Sequence, residues 1–315
     1  MVRRTFDRQV RALAAVALLA GCNGTAASVA PEALPASWMS PGAASQALLY
    51  VTNSGLSSVD VYAWPALTRA GTLSGFQIPY AECVDGAGNV YIVDYGARQV
   101  DEYRHGGSKA FKTYADEEGN PIACSVDKMT GNLAVSNLTA GASKPGNVLV
   151  FPQGTGKPTK YTAPGFRFYW FVGYDDRSNL FVDGEAPSVV ALAELPKGGA
   201  TFEAIAMNQS IAFPGDVQWD GKYLAVGDQR ADRIYQFAIS GKTATEKSSS
   251  SLGGASDVFQ FWITGGTTRH PQGTEVVGAS YGSDKVELWK YPAGGSPLAR
   301  LAGFYGPNGV VISPR

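Results

Sequence analysis

The sequence predicts an all-β fold, a six-bladed β-propeller with four-stranded antiparallel blades, over residues 47–315. Three observations carry this prediction. A sequence unit recurs about every 42 to 50 residues, the spacing of propeller blades. Glycine supplies 38 of the 315 residues, well above its usual share of about 7%, and its clusters separate short apolar runs as tight turns would. Three series of candidate strands can be drawn along the chain, and each has six members.

The unit is clearest in Pro79-Tyr-Ala-Glu-Cys-Val-Asp85, Gly88-Asn-Val-Tyr-Ile-Val-Asp94 and Gln99-Val-Asp-Glu-Tyr103. It returns as Pro121-Ile-Ala-Cys-Ser-Val-Asp127, Gly131-Asn-Leu-Ala-Val-Ser-Asn137 and Gly146-Asn-Val-Leu-Val-Phe151. The first series, strand A, is expected over 81–85, 122–127, 168–174, 215–219, 256–263 and 309–313. Strand B is expected over 47–52, 89–93, 132–136, 179–182, 223–227 and 275–279. Strand C is expected over 58–63, 99–103, 147–151, 188–193, 233–238 and 285–290, with a looser outer strand D after it. Strand B is apolar on both faces, as in Val90, Tyr91, Ile92 and Val93, which places it in a sheet covered on both sides. Strand C alternates, as in Ser58-Val-Asp-Val-Tyr62, and belongs nearer the rim. The first blade lacks a strand A and the last candidate, Gly309-Val-Val-Ile-Ser313, has no blade of its own. Joining them closes the ring and removes its open edge.

The pattern Pro-x-x-x-x-Val-Asp followed by Gly-Asn-Val-Tyr-Ile-Val-Asp resembles the NHL repeat. Tyr50-Val-Thr-Asn53 with Ser58-Val-Asp-Val-Tyr62 is similar to the YVTN-type repeat. The resemblance spans residues 47–315, is strongest in the second and third units, and implies a propeller. Trp219-Asp220 lacks the Gly-His partner of a WD40 repeat, and the repeats of a parallel β-solenoid are shorter than these.

Residues 1–22 read as a targeting segment. Arg3, Arg4, Arg8 and Arg11 precede an apolar run from Ala12 to Ala20, too short for a membrane span of about 20 residues. The run ends in Leu19-Ala20-Gly21-Cys22, which resembles the bacterial lipobox. That resemblance implies lipidation at Cys22 and export to the cell envelope, and Asn23 leans towards the outer membrane. The competing reading is an ordinary secretory signal. Residues 23–46, rich in Ala, Ser, Pro and Gly, read as a flexible tether. The net charge is −1, and residues 1–21 hold four basic residues and one acidic one. The remainder is therefore mildly acidic and has no basic surplus for nucleic acid.

Cys83 and Cys124 fall in successive A strands. Aligned on the shared Val-Asp, Cys124 matches Glu82, one position from Cys83, and an offset of one reverses the face. Facing strands of neighbouring blades then bring the two thiols together, and an oxidising compartment favours a disulfide. The alternative is two buried thiols. Asp85, Asp127, Asp175 and Asp220 close strand A before a tight turn, where Asp caps backbone N–H groups.

Ligand candidates lie on the face carrying the B–C and D–A loops: Asn53, Asp94, Arg98, Asn137, Asp183, Asp228 and Arg230, with Glu82, Trp170 and Trp262 from strand A. The Phe166–Phe171 run offers either a stacking platform or rings filling blade interfaces. His105 and His270 are the only histidines, and neither has a partner in the sequence, which argues against a Ser–His–Asp triad or a His-rich zinc site. Two functional readings follow. The first is a noncatalytic, monomeric envelope propeller that needs no cofactor and binds a protein, glycan or small ligand on its loop face. The second is a metal-dependent lactonase- or lyase-like enzyme in which Glu82, Asn137, Asp183 and Asp228 hold Ca²⁺ through oxygen ligands. A purely structural envelope role is a third.

Overall fold

The computed structural model describes residues 36–141, 144–187, 189–264 and 274–315. The targeting segment, Cys22, His270 and residues 23–35 of the tether lie outside them. Within Pro35–Arg315 the described chain forms one compact unit of antiparallel sheets.

The first sheet has the order β1-β4-β3-β2-β25, where β1 is Trp38–Met39, β2 Leu48–Asn53, β3 Ser58–Ala63, β4 Thr68–Ser74 and β25 Pro307–Ser313. The second runs β5 (Pro79–Val84), β6 (Val90–Asp94), β7 (Gln99–Tyr103) and β8 (Ala110–Ala115). The third runs β9 (Pro121–Val126), β10 (Leu133–Thr139), β11 (Pro145–Phe151) and β12 (Thr159–Tyr161). Two further meanders follow. One is β13 (Phe168–Tyr174), β14 (Leu180–Ala186), β15 (Val189–Leu195) and β16 (Glu203–Met207). The other is β17 (Pro214–Trp219), β18 (Leu224–Asp228), β19 (Arg233–Ser240) and β20 (Thr243–Ser251). The last sheet runs β21 (Val258–Ile263), β22 (Glu275–Ser280), β23 (Lys285–Lys290) and β24 (Ala299–Ala302).

Predicted strands and observed strands coincide to within a few residues, and two features differ. The hydrogen bonding draws five sheets, not six separate blades. The outer strands β16 and β20 pair in parallel through Ala206↔Thr243 and Met207↔Ala244, fusing two meanders into one eight-stranded sheet. Each edge thereby covers part of the other's unpaired backbone. The second difference is in the tether. Trp38 and Met39 pair with Thr72 and Gly71 as a fifth strand on the first sheet. Gly71 permits this, since a Cβ there would lie 2.3 Å from the Met39 sulfur.

Closure follows the sequence pattern. β25 pairs antiparallel with β2 through Leu48↔Ser313, Leu49↔Ile312, Tyr50↔Val311 and Val51↔Val310, and all of its residues are buried. The six inner strands β5, β9, β13, β17, β21 and β25 pack each against the next, and β25 packs against β5. The core lies between the sheets. Leu48, Tyr50 and Val59 of the first meet Val84, Val90 and Ile92 of the second; Tyr91 and Val93 of the second meet Val126 and Val135 of the third. Each fully buried side chain of this kind contributes about 1.5–3 kcal/mol of transfer free energy.

All six inner strands share one irregularity. The register shifts between Pro79 and Glu82, Pro121 and Ala123, Tyr169 and Val172, Pro214 and Val217, Val258 and Phe261, and at Pro307–Val310. Such bulges free backbone groups from the ladder and re-aim side chains.

Candidate functional site: a blind axial cup

Backbone groups freed at the bulges need partners, because an unmade bond on a buried donor costs about 1–3 kcal/mol. Side chains of the same or the neighbouring sheet supply them. The Thr52 hydroxyl accepts from Gly309 N–H and donates to the Tyr80 carbonyl at 2.7 Å. The Ser136 hydroxyl donates to the Trp170 carbonyl at 2.6 Å. Asp183 accepts from Phe171 N–H at 2.8 Å, and Asp216 from Phe261 N–H at 3.3 Å. The Gln260 carboxamide spans three sheets. It accepts from Val310 N–H at 3.1 Å and Glu82 N–H at 3.0 Å, and donates to the Glu82 carbonyl at 2.7 Å. Between the second and third sheets the clasp is covalent: Cys83 and Cys124 form a disulfide with Cα atoms 5.7 Å apart.

The re-aimed side chains close one end of the axis. Tyr80, Trp170 and Phe259 hold the same bulge position on alternate inner strands. Tyr80 meets Phe259 with ring centroids 5.0 Å apart, and Trp170 meets Phe259 at 6.1 Å. Phe213 and Phe171 complete the cluster, 5.1 Å from Trp170 and 4.8 Å from Phe259. These contacts skip the intervening strands, so they cross the axis. The plug stands beneath the B–C and D–A loops.

The opposite end is open. A cavity of about 580 Å³ is lined by the second halves of five inner strands and their A–B turns. Gln260 and Asp216 stand at its floor, with Glu82, Val172 and Val217 one residue further along their strands. Tyr174, Trp219 and Trp262 form the upper wall, and Lys128, Met129 and Asp176 the lip. The wall is mainly apolar. Its volume falls in the range of small-molecule sites, about 300–1,000 Å³.

The B–C face expected from the sequence is therefore occupied differently. Asp94 and Asp228 cap turns: Asp94 accepts from Gln77, Ile78 and Ala97 N–H, and Asp228 from Ala212, Phe213, Arg230 and Ala231 N–H. Asn53 accepts from Tyr305 N–H and donates to Asp60, and Asn137 donates to Asn147. Arg98 donates to the Gly119 and Glu117 carbonyls, and Arg230 is exposed. The Trp170 indole donates to Glu185 at 2.9 Å. Asp183 sits one residue before the capping position, where Thr52 and Ser136 stand on their own strands, so like them it faces a sheet interface. Glu82, Asp183 and Asp228 do not meet: among the described residues no three His, Cys, Asp or Glu side chains form a cation-holding group. Asp85, Asp127, Asp175 and Asp220 cap the A–B turns as their repetition implies. His105 bridges Ser313 and the Gln46 carbonyl.

Three carboxyls on or beside the inner strands are buried. Glu82 is fully buried, and neither oxygen has a hydrogen-bond partner; burial pushes its pKa well up. Asp183 is raised by burial and by nearby Asp216 and Glu185, against the pull of the Phe171 N–H, and one of its oxygens is unpartnered. Burial pushes Asp216 up to about 7, opposed by N–H donation from Phe261 and Val217. The sequence reading singled out Glu82 and Asp183 but passed over Gln260, Asp216 and Gln218. Their signal is a polar residue in an otherwise apolar inner strand, visible only once the six strands are aligned on the bulge.

Sheets, plug and ring closure define the class: this chain is a β-propeller of four-stranded antiparallel sheets. Solved structures share the architecture. A chain of the nidogen/laminin complex superposes with a TM-score of 0.68 at 12% identity, covering 85% of this chain and 98% of its own. A functionally unknown protein from Desulfotomaculum acetoxidans DSM 771 gives 0.56 at 10%, covering 85% and 99%. A protein of unknown function from Bacteroides caccae gives 0.62 at 12%, covering 86% and 100%. At such identities the likeness is one of fold. No protein-family profile matches the chain, and no curated protein does.

Proposed function

We propose that the chain is a noncatalytic binding propeller of the bacterial cell envelope, exported, anchored through Cys22, and holding a small ligand in the axial cup. Its blades are read as six NHL/YVTN-type repeats, the eight-stranded sheet counting as two blades joined at their outer strands. The observation that carries the binding reading is the cup itself, open at one end, closed by aromatic rings at the other and walled by Tyr174, Trp219 and Trp262. The noncatalytic reading is supported by the engagement of its polar groups. Gln218 and Gln260 bond neighbouring backbones, and Asp175 and Asp220 cap their turns.

The test is a thermal-shift screen of small metabolites, followed by titration of the hits with tryptophan emission as readout. Hits should lose affinity in Trp219→Ala and Trp262→Ala and be recovered chemically unchanged by mass spectrometry. Retained affinity in both variants overturns the cup as the site, and turnover of a bound hit overturns the noncatalytic reading. Mass spectrometry of membrane-extracted protein, searching for an acylated Cys22, tests the anchor.

A further inference from the structure

The outer edge of β15 is only half covered. On its inner side β15 pairs with β14 through all of Val189–Leu195, whereas β16 meets it only at Leu192, Ala193 and Glu194. From Ala206 onward β16 turns to β20, and its Ala206 and Asn208 N–H groups bond the Lys242 and Ala244 carbonyls. Among the described strands none lies along the outer edge of Val189–Ala191. Antiparallel pairing alternates, so at least one of these three residues turns its N–H and C=O outward. A groove of about 690 Å³ lies where β16 leaves, on the side of the B–C and D–A loops. Its lining is mainly apolar. Val189 is 63% exposed, Val190 and Ala191 are half-buried, and Ile205, Met207 and Phe213 line it with them.

The other uncovered edges carry charge. β8 has Lys112, β12 Lys160 and β24 Arg300, and β20 beyond Ala244 runs Thr245-Glu-Lys-Ser-Ser-Ser-Ser251. The edge of β4 is covered by β1. Charges and covers keep a sheet edge from pairing with another chain, and Val189-Val-Ala191 has neither. A long strand is not needed for such pairing in this fold, since Trp38 and Met39 alone add to β4. The one ionisable side chain lining the groove is Glu185, directly across the ladder from Val190. One of its oxygens accepts the Trp170 indole N–H, and a carboxylate has acceptor sites to spare.

We infer that this edge takes an extended peptide segment of a partner protein. The segment adds as a strand beside Val189–Ala191, lays apolar side chains in the groove and brings a lysine or arginine to Glu185. In strand addition main-chain bonds supply the affinity and side-chain pockets the selectivity. A residue at the level of Val190 stands two strand spacings, about 10 Å, from the backbone of Glu185. A long basic side chain covers that distance, and a charge-assisted bond is stronger than a neutral one. The site is separate from the cup, which opens at the other end of the axis.

The experiment titrates the full chain with the acetylated and amidated pentapeptide Val-Val-Lys-Val-Val, following backbone amide shifts by NMR. Shifts and slowed hydrogen exchange are expected at Val189–Ala191. The peptide Val-Val-Glu-Val-Val should bind about tenfold or more weakly, and so should the lysine peptide N-methylated at alternate residues, which lacks main-chain donors. Glu185→Gln, which still accepts from Trp170, should bring the lysine peptide down towards the glutamate one. Equal affinity of the N-methylated and parent peptides for the wild-type protein, which needs no variant to fold, overturns the inference. Equal affinity of the lysine and glutamate peptides does so too, as does the absence of shifts at Val189–Ala191 with millimolar peptide. A concentration-dependent dimer that protects the same amides would place a second copy on this edge and overturn the partner peptide as its occupant.

Discussion

Glu82 stands where Cys124 stands one sheet later. Each is the fourth residue of its inner strand, after Pro79-Tyr-Ala and Pro121-Ile-Ala, and each faces the preceding sheet. Cys124 there reaches Cys83. Glu82 instead enters the interface with the closing strand β25 and the sheet of Tyr50, a ring whose own ionisation it opposes. One slot thus holds a covalent clasp in one interface and an unpartnered carboxyl in the next.

Replacing that carboxyl by an apolar group of similar length should stabilise the fold. Glu82→Met is expected to raise the unfolding free energy by about 1–3 kcal/mol, the cost of a buried polar group without partners. Denaturant unfolding measures it, and a loss of stability would mean that the carboxyl has a partner in the folded protein.

The buried acids set a pH dependence of definite sign. Asp216 rises from 3.8 to about 7 on folding, so between those values the native state holds a proton that the unfolded chain has released. Its contribution is fully present below the unfolded pKa and is lost as pH rises through about 7. Glu82 and Asp183, also raised by burial, add to the loss in the same direction. Urea midpoints should therefore fall from pH 5 to pH 8, and Glu82→Gln should flatten the slope. Midpoints rising over that window would refute the assignment.

The disulfide closes a segment with sequence separation 41, for which chain entropy gives roughly 4 kcal/mol as an upper figure. Reduction, or Cys83→Ala with Cys124→Ala, should lower the denaturant midpoint by up to that amount. Because the bridge lines the cup wall, ligand affinity should fall with it. An unchanged midpoint under reducing conditions would show that packing of the two sheets carries the interface without the bond.

Asp228 separates the capping role from a metal role. Asp228→Ala deprives four backbone N–H groups of their acceptor and should cost about 1–3 kcal/mol. Faster hydrogen exchange is expected at Ala212, Phe213, Arg230 and Ala231. Asp228→Asn keeps one acceptor oxygen and should recover part of the loss. Chelator treatment of the wild-type protein should change neither quantity; a matching loss on chelation would reinstate a cation at this position.

The architecture was legible because strand and turn signals are local. Val90-Tyr-Ile-Val93 can bury both faces only inside a stack of sheets, and the Asp that ends each inner strand caps its own turn. Ring closure was legible as well, since a first unit without an inner strand and an orphan strand at Gly309–Ser313 fit each other. The Cys83–Cys124 pairing followed from a one-residue offset between aligned strands. Three things were decided only in three dimensions. The bulge after Pro79, Tyr169, Pro214 and Val258 leaves no mark in hydrophobic periodicity, yet it turns Tyr80, Trp170 and Phe259 across the axis and seals the face where a ligand was expected. Asp183 reads like Asp94 and Asp228, but one step along a strand puts it in an interface rather than a turn. The pairing of β16 with β20 depends on two edges distant in sequence meeting in space. Local chemistry along the chain settles which residues form sheets, whereas the side that opens to solvent depends on where side chains from separate strands converge.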